Sequence, residues 1–118
     1  MNLTCLQQVL VDEVADVTVQ CLLRTVSAAV LGIVFLSGGQ SAELASARLN
    51  AMNVRFKTRV PWALSFLFAR AIQQAALVIW RGDEANVAVA QTALLHRARC
   101  NQAARQGKYV ATMEKEPE

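Results

Sequence analysis

Two short stretches, each placed just after an apolar run, hold the residues of this sequence best suited to bind an anion. The first is Ser37-Gly38-Gly39, which follows the apolar run 31–36 and precedes a helical pattern. Adjacent glycines carry no Cβ, so backbone N–H groups can approach an anion closely there, and a following helix adds free N–H groups and the positive end of its dipole. The spacing predicts a phosphate-binding turn. A plain turn, in which the glycines serve backbone geometry alone, fits the same spacing.

The second stretch is Ala69-Arg70, which follows the apolar run 62–68. If the two runs pair in parallel, their C-terminal ends lie at one edge of the sheet, and the first turn and Arg70 lie together. The planar guanidinium offers paired donors that suit a phosphate, and barrel enzymes commonly hold phosphate in the loops after their last two strands. An ion pair between Arg70 and a carboxylate fits equally well, so both alternatives stay open.

The elements that must position these residues alternate between helix and strand. Both apolar runs lack polar alternation, which predicts strands buried on both faces in a parallel sheet of an α/β fold. Ser41 is of the type that caps helix N-termini, and Gly107 is expected to end the last helix. The full prediction is a loop to about Gln8, helices from Asp12, over Ala42–Asn53, over Ala71–Trp80 and from the cap Asp83 to about Gln106, and strands over 31–36 and 62–68. In the last helix the expected apolar register is Val87, Ala90, Leu94 and Ala98.

Composition excludes several classes of function. A chain of 118 residues with 54% hydrophobic residues suits one small folded domain and argues against disorder. The net charge is +3, but the only close basic group, Arg55, Lys57 and Arg59, contains a single aromatic residue, so no nucleic-acid partner is expected. Three widely spaced cysteines without a C-x-x-C motif, and His96 as the only histidine, predict no disulfide framework, metal site or catalytic triad.

The sequence also carries an expectation about location. The first residues show neither a basic segment nor a cleavage site, so no signal peptide is expected. The longest apolar run, Ala28–Leu36, is far shorter than the roughly 20 residues that span a bilayer. We therefore expect a soluble cytoplasmic protein without a membrane partner.

Several sequence blocks, in their order and spacing, resemble class I fructose-bisphosphate aldolase. The resemblance runs from about Cys5 to Tyr109, and the alanine-rich segments and residues 96–99 look more like bacterial members than animal ones. It implies the C-terminal third of a (β/α)8 TIM barrel, with strand seven at 31–37 and strand eight at 62–68. The partial barrel would cover residues 1–109, and 110–118 would form a disordered acidic tail. The matching blocks are Phe35-Leu36-Ser37-Gly38-Gly39-Gln40-Ser41, Leu49-Asn50-Ala51-Met52-Asn53, Pro61-Trp62-Ala63-Leu64-Ser65-Phe66, Ala69-Arg70-Ala71-Ile72-Gln73, Asp83-Glu84-Ala85-Asn86-Val87, Ala90-Gln91 and Gln106-Gly107-Lys108-Tyr109.

The resemblance also implies a reaction and a site. The family cleaves fructose 1,6-bisphosphate reversibly into dihydroxyacetone phosphate and glyceraldehyde 3-phosphate in glycolysis, without a metal or other cofactor, and is usually homotetrameric. Carried over to this sequence, Ser37 would donate its hydroxyl to the sugar 1-phosphate. Gly38 and Ala69 would donate backbone N–H groups, and Arg70 would supply positive charge.

Two positions in this region depart from the family pattern. Ala69 stands where many members have glycine, and backbone donation survives there if φ is negative. Leu67 stands where the family usually has a serine that lines the phosphate site, so one hydroxyl donor is lost.

The largest departure is the absence of the nucleophile, because the family's Schiff-base lysine on strand six would precede residue 1. A substitute would need a desolvated pocket or a close cation to keep its amine neutral, and the surroundings of Lys57, Lys108 and Lys115 promise neither. We expect no catalytic residue here. The alternatives are an aldolase fragment that pairs with the missing N-terminal part, a non-catalytic phosphate-binding module, and a remnant that associates with a full-length aldolase. Unpaired strand edges and an uncovered apolar face would favour pairing or aggregation.

Overall fold

The structure is a computed structural model that describes the backbone of residues 3–36, 41–66 and 70–115, and the side chains of residues 10–36, 41–65 and 72–115. Helices dominate the described part of the chain and accompany one pair of strands. The elements are α1 (Leu3–Thr25), β1 (Gly32–Phe35), α2 (Ala42–Arg55), β2 (Ala63–Phe66), α3 (Arg70–Trp80), a 3-10 turn (Glu84–Asn86), α4 (Val87–Arg105) and a second 3-10 turn (Ala111–Lys115).

The two strands pair in parallel, in a register that runs from Gly32 opposite Ala63 to Phe35 opposite Phe66. The connection between them contains α2, which is the strand–helix–strand unit that the alternating pattern predicts. The predicted α/β class and parallel pairing are therefore confirmed. Both strands run to the same level, so the segments that follow them leave from one edge of the sheet.

The core is built around α2, whose Ala45 and Leu49 are completely buried. Helix α1 packs beside it through Val11, Ala15 and Val19, which recur every four residues and so share one helix face. Arg55 of α2 completes this contact with hydrogen bonds of 2.6 and 2.7 Å to the two carboxylate oxygens of Asp16 in α1. On the other side, β2 and α4 join the same core. Their buried residues there are Leu64 with the preceding Trp62, and Cys100 and Ala104.

Helix α1 begins at Leu3, so the predicted loop to about Gln8 and helix start at Asp12 are wrong. Residues 3–11 contain neither glycine nor proline, and no residue among them stops a helix. Because these residues show only a weak apolar periodicity, the sequence analysis did not predict a helix there. The packing of Val11, Ala15 and Val19 on α2 stabilises the helix to which this segment belongs, and such tertiary packing is the usual source of helix stability in proteins.

The prediction that both faces of β1 are buried is also wrong. Ile33 and Phe35 pack against the core, whereas the side chains that alternate with them are open to solvent: Val34 is 61% exposed and Leu36 is 66% exposed. Alternate residues of a strand point to opposite faces, and the helices of the described part cover one face of this strand. The uncovered apolar face is what was expected of two strands taken from a larger barrel.

The C-terminal segment differs from the predicted disordered tail over residues 111–115, which form a 3-10 turn. Tyr109 is buried, and Met113 packs against the core. Glu114 accepts hydrogen bonds from Tyr109 and from Arg97. The charged composition of the segment suggested solvation, but these partners lie on α4 and near its end. Residues 116–118 lie outside the described part of the chain.

Within the described residues, no helix is both long enough and apolar enough to cross a membrane.

Candidate functional site

The sequence predicts a phosphate site just after the residues where β1 and β2 end. The parallel register places Phe35 beside Phe66 at this edge. Ser37, Gly38 and Ala69 lie outside the described residues, and so does the side chain of Arg70, whose backbone begins α3. What the structure describes is the frame around them: two parallel strands that end together, each followed by a helix.

The frame begins with Ser41, which caps α2 as the sequence predicts. Its backbone is extended, with φ of −64° and ψ of 154°, and its hydroxyl accepts the N–H of Leu44 at 3.2 Å. Its carbonyl oxygen accepts the N–H of Ala45 at 2.9 Å, which closes the first helical turn. The first N–H groups of a helix and its dipole both favour an anion at this end. The cap therefore fixes the helix N-terminus directly after the predicted phosphate-binding turn.

A buried arginine, Arg97 of α4, lies against the first turn of α2. Its Nη2 donates to the carbonyl oxygen of Ala42 at 3.1 Å and to the hydroxyl of Ser46 at 2.8 Å. Ser46 is itself fully buried and donates to Oδ1 of Asn101 at 3.0 Å. The side chain of Arg97 is only 5% exposed, so its charge needs a close partner.

That partner is Glu114 in the C-terminal 3-10 turn. One oxygen accepts from Nη1 of Arg97, and the other accepts from the Tyr109 hydroxyl at 2.6 Å. Burial pushes the pKa of Glu114 up, but the hydrogen bonds from Tyr109 and Arg97 and the nearby guanidinium charge outweigh it and hold the pKa below its usual value. Burial and the neighbouring carboxylate raise the pKa of Tyr109. Glu114 is therefore ionised and Tyr109 protonated at neutral pH.

Among the described residues, His96, Cys100 and Glu114 bring three potential metal ligands within 4.8 Å of one another. His96 and Cys100 stand one helical turn apart on α4, and Nε2 of His96 is 3.6 Å from Glu114 and 3.7 Å from the Cys100 sulfur. Both oxygens of Glu114 already accept hydrogen bonds, one of them from a cation. In the structure, Glu114 therefore takes part in an ion-pair and hydrogen-bond network with Arg97 and Tyr109.

The three lysines of the chain do not form a nucleophilic centre. Lys57, Lys108 and Lys115 are all exposed. A lysine nucleophile has to be neutral, and this requires a desolvated pocket or a neighbouring cation at close range. None of these three exposed lysines lies in a desolvated pocket.

Sequence reasoning missed the Arg97 network because it placed a different face of α4 in the core. Of the expected register, Ala90 is buried, while Leu94 is 37% exposed. The buried side instead includes Arg97 and Asn101, whose partners are on α2 and in the C-terminal segment. A search for apolar residues at helical spacing does not identify polar residues that are buried. A possible signal was the four-residue spacing of Arg97 and Asn101, which lets both reach one hydroxyl.

The family model that matches this chain is the one described as glycolytic, fructose-bisphosphate aldolase class I, over residues 2–118. The cytoplasmic isozyme of fructose-bisphosphate aldolase from Spinacia oleracea is 52% identical over 98 residues, which are 83% of this chain and 27% of that protein. The fructose-bisphosphate aldolase of Drosophila melanogaster is 52% identical over 100 residues, 85% of this chain and 27% of that one. These plant and insect relatives do not test the bacterial character suggested by the sequence.

A solved structure shows the same similarity in three dimensions. The fructose-bisphosphate aldolase of Plasmodium falciparum, described in complex with TRAP and a small-molecule inhibitor, superposes with a TM-score of 0.80 and 46% sequence identity. The match covers 86% of this chain and 28% of that one. The chain thus spans about a quarter of the length of these aldolases, and its elements form a fragment of an α/β barrel.

Proposed function

Because this chain belongs to the class I fructose-bisphosphate aldolase family, we propose that it supplies the sugar 1-phosphate site of such an enzyme but not its nucleophile. The reaction would be the reversible cleavage of fructose 1,6-bisphosphate to dihydroxyacetone phosphate and glyceraldehyde 3-phosphate. The matched part of this chain covers 27% of its spinach relative. The Schiff-base lysine would come from polypeptide that corresponds to the remaining part of that relative.

The proposed site consists of the Ser37 hydroxyl, the backbone N–H groups of Gly38 and Ala69, and the Arg70 guanidinium. The observation that carries the proposal is the parallel register of β1 and β2, in which Phe35 and Phe66 are paired. Ser37 follows Phe35 by two residues, and Arg70 follows Phe66 by four, so the proposal places both at the same edge of the sheet. The Ser41 cap supports the site, because it presents the N-terminus of α2 next to the same turn.

Catalysis in this proposal requires assembly with the missing part of the barrel. A closed (β/α)8 barrel has eight strands and about 250 residues. The open face of β1, on which Val34 is 61% exposed, is the surface that the other strands would cover. Homotetramer formation and a cytoplasmic location are further parts of the proposal, and the name of the spinach cytoplasmic isozyme supports the location.

The test is complementation. The chain is mixed with a polypeptide that carries the preceding strands of a related aldolase, and borohydride is added with dihydroxyacetone phosphate. We expect a trapped adduct and turnover from the mixture and from neither piece alone. In the mixture, Arg70→Ala should raise KM for fructose 1,6-bisphosphate about tenfold, the loss expected for a charge-assisted phosphate contact.

Arg59→Ala is the matched control, because Arg59 is an exposed arginine in the loop before β2 and its removal should leave KM unchanged. An Arg70→Ala mixture with unaltered KM would contradict the site. A mixture that assembles but never traps the adduct would contradict the proposed reaction.

A second candidate is a non-catalytic chain that binds phosphate or associates with a full-length aldolase. The exposed apolar face of the sheet favours it, since Val34 is 61% exposed and Leu36 is 66% exposed on that face. Phosphate-dependent protection of the Ser37 and Gly38 amides from hydrogen exchange would support the binding module. Co-purification with a full-length aldolase would support the associating chain.

A further inference from the structure

The Arg97 network joins the C-terminal segment to the helix that starts at the phosphate-binding turn. We propose that Arg97 is a positioning residue for this turn, and that Glu114 holds Arg97 in the orientation that does so. This inference rests on the proposed phosphate site, which it extends by naming residues that act on the site from behind α2.

The first support is that the two terminal nitrogens of Arg97 donate to different segments of the chain. Nη2 bridges the carbonyl oxygen of Ala42 and the hydroxyl of Ser46, which stand one turn apart at the start of α2. Nη1 donates to Glu114. Because the guanidinium is a rigid plane, fixing Nη1 on Glu114 also fixes the position of Nη2. A change at Glu114 is therefore transmitted to the first turn of α2.

The second support is where that turn lies in the chain. Ala42 follows the cap Ser41 directly, and Ser41 follows the turn 37–40. An anion at this end of α2 depends on the direction of the helix axis and of its first N–H groups. A binding constellation has to be held to within about 0.5 Å of its productive geometry by the residues around it. Arg97 is the buried charge that connects the first turn of α2 to α4.

The third support is the anchoring of Glu114 itself. The Tyr109 hydroxyl donates to its second oxygen at 2.6 Å, and the Tyr109 N–H donates to Oδ1 of Asn50 in α2 at 2.9 Å. Met113 packs against the core beside it. Glu114 is thus held on α2 and α4 at several points, so it can orient Arg97 and not merely neutralise it.

The test uses the full chain, labelled with 15N, and inorganic phosphate as the probe. The variants are Glu114→Gln, which keeps the shape of the side chain but removes its charge, and Arg97→Lys, which keeps the charge but replaces the planar, two-ended guanidinium with a single ammonium group. Each should weaken phosphate binding about tenfold, an amount typical of a displaced charge-assisted contact. Each should also shift the Gly38 and Gly39 amide resonances in the absence of phosphate, while the Gly82 amide stays in place.

Arg105→Met is the matched control, because it removes an exposed arginine from the last turn of the same helix. Its phosphate affinity and glycine amides should equal those of the unaltered chain. If Arg97→Lys does not fold, Ser46→Ala serves in its place, because it removes one acceptor without exposing the charge. All affinities are compared at a temperature where circular dichroism shows every variant folded, so that a purely stabilising role would leave them equal.

Equal phosphate affinities and unmoved glycine amides in Glu114→Gln and Arg97→Lys would overturn the inference. Arg70→Ala separates this failure from failure of the site. If Arg70→Ala abolishes phosphate binding while the Arg97 and Glu114 variants bind normally, the site stands and the positioning role is wrong. If Arg70→Ala binds normally, the proposed site is wrong, and the glycine amide shifts alone decide whether Arg97 positions the turn.

Discussion

Nη2 of Arg97 lies 3.1 Å from the carbonyl oxygen of Ala42, a residue 55 positions earlier in the chain. This contact ties the beginning of α2 to the middle of α4. The second terminal nitrogen of the same guanidinium binds Glu114 near the C-terminus. One side chain thus joins α2, α4 and the C-terminal segment. Its removal should therefore change both the free energy of unfolding and the affinity for phosphate, and the two can be measured separately.

The first prediction concerns the stability supplied by Arg97. Arg97→Met should lower the free energy of unfolding by about 3 kcal/mol, because breaking a buried pair leaves the other charge without compensation. We expect the lower end of the usual range because Glu114 keeps 15% of its side chain exposed. Urea unfolding followed by circular dichroism measures the change. Arg105→Met is the control, and a loss of less than about 0.5 kcal/mol, as at an ordinary surface position, would show that the pair contributes little.

The second prediction concerns acid stability. The fold holds the pKa of Glu114 below its unfolded value of 4.5, so in this range the unfolded chain binds more protons than the folded one. The contribution of Glu114 is fully present above pH 4.5 and is lost as the pH falls through the lower, folded pKa. Glu114→Gln should therefore flatten the loss of stability below this pH.

Some acid dependence will remain in Glu114→Gln. The hydrogen bond from Arg55 lowers the pKa of Asp16, which also loses its contribution as the pH falls. Urea midpoints measured between pH 3 and pH 7 test the prediction. A variant whose midpoints run parallel to those of the unaltered chain over the whole range would contradict it.

The third prediction compares two glycines with positive φ, Gly107 at 72° and Gly82 at 77°. Alanine at either should cost about 1–2 kcal/mol of unfolding free energy, the penalty of the left-handed region for a residue with a Cβ. Gly107→Ala should cost more, because its Cβ would lie 3.3 Å from Cγ2 of Val54, whereas that of Gly82 would meet no atom within 4 Å. Thermal unfolding of the two variants measures the difference. Equal losses would mean that Val54 yields without cost.

The fourth prediction concerns the two faces of β1. Val34→Lys places a charge on the open face and should reduce self-association of the isolated chain without lowering its melting temperature. Ile33→Lys, one residue away, places the same charge against the core and should prevent folding. Sedimentation velocity and circular dichroism provide the readouts.

The same pair of variants tests the proposed assembly. In the complementation mixture, Val34→Lys should abolish turnover, because its side chain would face the interior of the completed barrel. Turnover equal to that of the unaltered chain would show that the open face of β1 is not the assembly surface.

Features encoded within a few neighbouring residues were predictable from the sequence. The apolar runs that form β1 and β2, the Ser41 cap and the stop at Gly107 depend on local propensity and capping, and all three agree with the structure. The alternation of strands and helices was sufficient to predict the parallel sheet. The specific Phe35–Ser41 block and the blocks after it were sufficient to indicate the family.

Only the tertiary structure decided which faces are covered and which polar residues are buried. Helix α1 packs on α2 through Val11, Ala15 and Val19, and Val34 is exposed because the helices of the described part cover only the other face of its strand. Arg97 is buried because its acceptors arrive from α2 and from the C-terminal segment. A sequence pattern records what a residue prefers on average. The partners that overcome the cost of burying a charge are brought together only when distant segments fold.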